Sequence, residues 1–198
     1  MSGVRSIASA LAALLVLYPL VAWGDPVAPS APGDQLLYEA LMKAPVGTYA
    51  DYLLSSEGEK ETLVMHYALV ERSDIRLAIE IEVATPEGPF LTRLEYIPDG
   101  DTAWKLDHAR VKVGKHPVQT VPPPGTSIIR KGTFEGKLLG QEKISTKAGA
   151  FDATHYQQGA YEVWMSDRAL PLGLVKKVGH STTEILQKVG SGKKSQLK

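Results

Sequence analysis

Ile75, Leu77, Ile79, Ile81 and Val83 alternate with Arg76, Ala78, Glu80 and Glu82, the two-residue period of a strand with one dry and one wetter face. Leu63, Met65, Tyr67 and Leu69 alternate with Val64, His66, Ala68 and Val70, so this strand is apolar on both sides and is expected to be central, one face under a helix. The apolar stretch 90–97 is bracketed by Pro-Glu-Gly-Pro at 86–89 and Pro-Asp-Gly at 98–100, both with turn chemistry. In 102–113, Trp104, Leu106 and His108 share a face before the frame shifts to Val111 and Val113, which predicts a bulge near Ala109. Further short strands are predicted over 127–130, 133–139, 142–147, 151–157, 160–166, 172–178 and 183–189, divided by Gly132, Gly140, Ala148-Gly149 and Gln158-Gly159. The three prolines at 122–124 place 120–125 in a loop.

One helix stands ahead of these strands. Asp34 is its N-cap, Leu36, Leu37, Ala40 and Leu41 fall at helical spacing, Lys43 is near its end and Pro45 lies just beyond. The pattern predicts a mainly β (α+β) chain. It is antiparallel, a strongly curved half-barrel or near-closed barrel of about ten strands with one N-terminal helix. Without alternating strands and helices, a doubly wound sheet or an eight-fold barrel is excluded, with the nucleotide and phosphate sites of those folds.

The ends differ from the middle. Residues 1–24 read as a signal peptide: Arg5 is the only charge, an apolar run extends from Ile7 to Trp23, and Ala22 and Gly24 form a small-x-small cleavage site. Cleavage is expected after Gly24, which places the protein in the periplasm or outside the cell. Pro19 interrupts the run, and its 17 residues fall short of the about 20 of a membrane span. An uncleaved anchor is the alternative. Residues 25–33 carry three prolines and read as a Pro-rich tether, 34–189 as a single β-rich domain, and 190–198 as a polar, solvated tail.

Composition narrows the chemistry. The 198 residues hold 22 Lys+Arg and 22 Asp+Glu; losing Arg5 with the signal leaves 21 basic against 22 acidic, so no basic patch argues for nucleic acid. With no Cys there are no disulfides, thiol nucleophiles, thiolate metal sites or Cys-linked lipid anchors. The five histidines, at 66, 108, 116, 155 and 180, include no pair at the i, i+2 or i, i+4 spacing of metal ligands. His66 and His155 fall among apolar strand neighbours and read as hydrogen-bonded sheet residues. Asp107-His108 and Asp152 with His155 are conceivable acid–base pairs, but adjacent strand residues face opposite ways, so the first pair needs a bulge to cooperate.

No Gly-x-Ser-x-Gly elbow is present, and Ser166 reads as a turn residue at a strand end. The Gly-Ser-Gly-Lys-Lys-Ser run lacks the earlier glycine of a phosphate loop, Gln187 standing in its place. Glu80 and Glu82 share a face, and their spacing admits a glycosidase-like carboxylate pair; the plainer reading is an outer polar face. No catalytic residue, metal site or cofactor is expected, and the chain is read as a protein without enzymatic activity.

Two stretches carry a resemblance. Ile144-Ser-Thr-Lys-Ala-Gly-Ala-Phe-Asp-Ala-Thr-His-Tyr156 and Glu162-Val-Trp-Met-Ser-Asp-Arg-Ala-Leu-Pro-Leu-Gly-Leu-Val-Lys176 resemble the closing hairpins of exported bacterial β-proteins. In style they are similar to the Lol-type lipoprotein carriers and their mycobacterial lipid-binding relatives. The resemblance implies a half-barrel over an apolar cavity that receives acyl chains, hence a periplasmic binding or carrier protein for an apolar or amphipathic ligand, a lipid or an acylated partner. The chain differs from that group in its single helix and its lack of a lipidated Cys. From the strand pattern, Ile79, Ile81, Trp104, Leu106, Val163 and Met165 are the candidate cavity lining, although an ordinary filled core gives the same pattern. Two other functions are consistent with the sequence. One is a ligand-free envelope interaction or assembly module that meets a partner through a strand edge or the 120–125 loop. The other is an exported hydrolase.

Overall fold

Pro45 bars helical geometry just before it, and helix α1 (Gly33–Lys43) ends two residues earlier, near the expected stop. The computed structural model describes residues 33–59, 61–86, 88–122, 127–131, 136–179 and 181–197. The signal peptide 1–24, the tether up to residue 32, Pro123, Pro124, Gly132 and His180 lie outside the described residues.

Twelve strands follow: β1 (Tyr49–Ser56), β2 (Thr62–Arg72), β3 (Leu77–Thr85), β4 (Gly88–Pro98), β5 (Ala103–Val113), β6 (Gln119–Val121), β7 (Ile128–Arg130), β8 (Lys137–Thr146), β9 (Gly149–Gln158), β10 (Tyr161–Met165), β11 (Leu174–Val178) and β12 (Thr182–Gly190). They form one antiparallel, strongly curved sheet in the order β6-β5-β4-β3-β2-β1-β12-β11-β10-β9-β8, with β7 also on β5. The chain thus makes two meanders, joined where β1 pairs with β12 from Tyr49↔Gly190 to Ser56↔Thr182. The sheet does not close: among the described residues β8 pairs only with β9.

Several boundaries differ from expectation for physical reasons. β1 was not predicted, and the start of the supposed proline loop pairs as β6 with β5. The two strands expected on either side of Gly140 are one, because Gly140 takes φ 154 and the irregularity between Leu138 and Gly140 is absorbed without breaking the ladder. The β5 bulge falls at Asp107, since Glu95 pairs with His108 and Tyr96 with Leu106. Ala109, expected at the bulge, already points inward at 3% exposure.

The inner face carries the core. Met65, Tyr67 and Leu69 of β2, Ile79, Ile81 and Val83 of β3, and Phe90, Leu94 and Tyr96 of β4 belong to one buried cluster with Leu41 and Ala44 at the end of α1. Burying each large side chain contributes about 1.5–3 kcal/mol. Helix α1 packs against β7 and is held from the sheet by Arg72, whose Nη1 donates to the carbonyls of Leu41, Met42 and Ala44 at 2.6–2.8 Å. One guanidinium therefore satisfies carbonyls that a helix end leaves without intrahelical partners, and its charge suits the negative end of the dipole.

The outer face of β2–β4 corrects two expectations. Glu80 and Glu82 were read as an outer polar face and 190–198 as a solvated tail, yet Glu80 is 3% exposed and Leu197 1% exposed. The segment after β12 turns back across β3, and its main-chain N–H groups satisfy the carboxylate. Beneath it Arg93 contacts Glu71 at 2.5 Å, Glu95 at 3.0 Å and Glu80 at 3.6 Å, while Glu95 also binds Arg110. Burial alone would raise the Glu95 carboxyl, but Arg110 and Arg93 outweigh it and hold the group below the usual carboxylate range.

Candidate functional site

Strand alternation places Asp152, Thr154 and Tyr156 of β9 on the inner side, beside Met165 of β10, whose register partner is Thr154. Across from them stand Glu39 and Ala40 of α1. Ser166, Asp167, Arg168 and Gly173, from the turn between β10 and β11, complete a cleft of about 390 Å³. The helix approaches the sheet here through its smallest side chain: a Cβ added to Gly173 would lie 3.0 Å from Ala40 Cβ and 3.1 Å from Met165 Cε. Gly173 also has φ 73, so the turn and the close approach both require glycine.

The cleft has an apolar floor and a charged rim. Ala40 and Met165 form the floor. At the rim, Asp167 pairs with Lys43 at 3.3 Å and Asp152 with Lys143 at 3.8 Å, all four side chains well exposed. Arg168 lies over the Phe151 ring at 5.6 Å. Such exposed pairs contribute roughly 0–1 kcal/mol each and exchange readily for a ligand's charge.

Of the six lining residues expected from sequence, Met165 alone borders this cleft. Ile79, Ile81, Leu106 and Val163 are 4%, 2%, 2% and 1% exposed within the core cluster, and Trp104 is partly buried against it. Those four are covered by protein on the inner face. Sequence reasoning missed Thr154 and Tyr156, whose even-numbered places on β9 were the available signal.

A charged pair also faces inward. Glu184 of β12 pairs in register with Lys177 of β11. Burial pushes the Glu184 carboxyl up to about 7 against the pull of Lys177, and its Oε1 has no hydrogen-bond partner. Burial likewise lowers Lys177.

The histidines fall into separate settings. His155, 8% exposed, stacks on Trp164 at 4.0 Å; its Nδ1 is 2.8 Å from Glu142 Oε1 and its Nε2 3.2 Å from Glu162. The conceivable Asp152–His155 pair is not formed, because the two lie on opposite faces of β9, and His155 instead meets Glu142 and Glu162. The Asp107 bulge does bring Asp107 and His108 together, at 2.8 Å. His66 Nδ1 lies 2.5 Å from Asp51. Ser166 sits in a turn, with Ala169 N–H donating to its carbonyl at 3.0 Å. Among the described residues no group of three or more His, Asp and Glu is arranged to hold a metal ion, and no helix is long and apolar enough to cross a membrane.

No protein-family model matches the chain, and no curated protein matches it. Among solved structures it is similar to a chain from Parabacteroides distasonis provisionally described as a lipoprotein, at 12% identity and a TM-score of 0.41, covering 74% of this chain and 96% of that one. It is also similar to a Bacteroides fragilis chain provisionally described as an exported protein with a YmcC-like fold, at 11% identity and a TM-score of 0.37, covering 74% of this chain and 97% of that one.

Proposed function

We propose that this is an exported, non-catalytic binding protein that takes a small amphipathic ligand, such as a lipid or an acylated group, in the cleft between α1 and β9–β10. The observation that carries the reading is the cleft itself. Its volume of about 390 Å³ falls within the about 300–1,000 Å³ of ligand sites, with an apolar floor at Ala40 and Met165 and both signs of charge at its rim. The apolar part of the ligand lies on Met165, and its polar end exchanges with the Lys43–Asp167 or Lys143–Asp152 pair. Export is supported by the apolar run from Ile7 to Trp23 and the small-x-small site that follows it.

The reading differs from a Lol-type interior reservoir in placing the ligand at the mouth of the curved sheet, since Ile79, Ile81, Leu106 and Val163 are packed by protein. Titration with an environment-sensitive fatty-acid probe tests it. Saturable binding is expected, weakened at least tenfold in Thr154→Trp, which fills the cleft from a strand position; unsaturable uptake, or equal binding by both proteins, overturns it.

A second reading rests on the edge of β8 that has no strand partner among the described residues, where Leu138 and Leu139 are 61% and 41% exposed. An exposed edge can accept a partner's strand. A protein that co-purifies stoichiometrically, with no lipid in an organic extract, would favour this reading over the first.

A further inference from the structure

The outer face of β2–β4, on the side of the sheet away from the cleft, has an extended peptide seated on it. Leaving β12, the chain passes the turn after α1, where Lys193 N–H donates to Gly47 O at 3.0 Å. Gly47 has φ 89, and a Cβ there would stand 3.2 Å from Lys193 O. Residues 195–197 then lie along β3. The Glu80 carboxylate accepts the main-chain N–H groups of Gln196 at 2.9 Å and Leu197 at 3.1 Å, as well as the Ser195 hydroxyl. Arg93 Nη1 donates to Ser195 Oγ at 2.7 Å. Glu82 takes Lys193 Nζ at 3.1 Å and the Gln196 side-chain amide at 2.7 Å. Leu197 is buried outside the central cluster, as are Ala68, Ala78 and Leu91 on this face.

This is how a protein reads a peptide. A buried carboxylate takes two successive backbone N–H groups, a second carboxylate takes a lysine, a guanidinium takes a hydroxyl, and one apolar side chain is buried. Glu80 and Arg93 lie in central strands, where a charge left without partners is costly, so the site is built to be filled. The segment that fills it follows Gly190-Ser191-Gly192, a link that imposes little conformation of its own. The contacts are all made by residues 193–197, and the same residues on a separate chain could make them.

We propose that the outer face of β2–β4 is a binding site for extended basic peptides of the pattern Lys-x-Ser-x-Leu, occupied in cis by residues 193–197 and able to take the same pattern in trans. Lys193 places its ammonium 3.1 Å from Glu82 on this acidic stretch of β3, so the preferred ligand carries a positive charge at that position. The cis segment acts as an internal competitor that sets a threshold for any outside peptide.

The test uses a chain ending at Gly190 and a fluorescein-labelled peptide of sequence Gly-Ser-Gly-Lys-Lys-Ser-Gln-Leu-Lys, followed by fluorescence anisotropy and far-UV circular dichroism. Saturable one-to-one binding is expected. It should weaken at least tenfold when the peptide carries Leu197→Asp, and at least tenfold when the full chain, its site already filled, replaces the shortened one. A folded shortened chain that ignores the peptide, or binds the Leu197→Asp peptide equally well, overturns the proposal. Should the shortened chain be unfolded, recovery of its β-sheet signal on adding the peptide supports the site, and failure to recover sinks it. The full chain carrying Leu197→Asp gives an independent reading: it is expected to bind the wild-type peptide saturably, and no binding counts against the site.

Discussion

Leu197 N–H donates to Glu80 Oε1 across 3.1 Å, joining residues 117 positions apart and pinning the segment after β12 to the outer face of β3. Glu80→Gln keeps the shape of the acceptor and removes its charge, leaving Arg93 with one fewer buried counterion. A loss of about 3 kcal/mol is expected in denaturant unfolding. Amide exchange at Gln196 and Leu197 should accelerate more than exchange within β2. Unchanged protection at those two amides would show that the segment is held by something other than Glu80.

Arg72 gathers three carbonyls at the end of α1. Arg72→Met keeps much of the aliphatic stem and removes the donors, so about 2–3 kcal/mol of stability is expected to go, with fraying of the last helical turn. Arg72→Lys should restore only part of it, because a point-like ammonium lacks the planar fork. The check is urea unfolding of the three proteins side by side; equal midpoints would remove Arg72 from the account of the helix.

Glu184 makes stability depend on pH with an unusual sign. Its native carboxyl titrates at about 7 against the ordinary 4.5. Between those values the unfolded chain has released the proton while the native chain keeps it, so this group makes stability fall as pH rises through that interval. The effect is complete above about 7 and absent below about 4.5. Lys177 opposes the shift, and the buried Tyr52 and Tyr67 hydroxyls feel the same charge. Thermal melts across this range should show the slope in the native sequence and its loss in Glu184→Gln. Identical slopes would refute the assignment.

Glu142 lies on the outer face of β8, where the Trp164 ring N–H and His155 hold its carboxyl below the usual range. Trp164→Phe removes the larger of these two causes. The Glu142 carboxyl, followed by carbon-13 NMR, is expected to titrate at higher pH in the variant, and a fixed titration would assign the shift to His155 and Lys176 instead.

The parts of the fold that showed in the sequence are those with a strict alternation or with clear turn chemistry at their ends. Ile79, Ile81 and Val83 announce β3 by their two-residue period, and the turn residues at 86–89 and 98–100 announce β4, whose residues 90–96 are buried on both faces. β1 escaped notice although Ala50 and Tyr52 point inward: it follows a proline-ended helix and closes on Ser55-Ser56, which reads as loop. The bulge at Asp107 was placed two residues late because sequence shows that the frame changes, not which residue is extra.

The site was less legible. A row of apolar side chains reads the same whether it meets other side chains or a ligand, so Ile79 and Leu106 looked like cavity lining while Thr154 and Tyr156 went unremarked. The outer groove was hidden for another reason. Lys-Lys-Ser-Gln-Leu-Lys has the composition of a solvated tail, and only the partners it meets, Glu80 and Arg93 from distant strands, turn its main chain into a ligand. Two opposite charges paired in register on central strands, as Glu80 and Arg93 are, were the signal that something covers that face.

Between β7 and β8 the chain passes from one meander to the other, while in space the two are joined along β1 and β12 and by residues 193–197 lying on β3. A backbone cut in that crossing would leave two fragments, each with its own hairpins and each presenting one unpaired edge that matches the other. The molecule is therefore divisible as well as foldable. Its halves, made separately and mixed, have a register to find, and the strand made last is the one that must find the first.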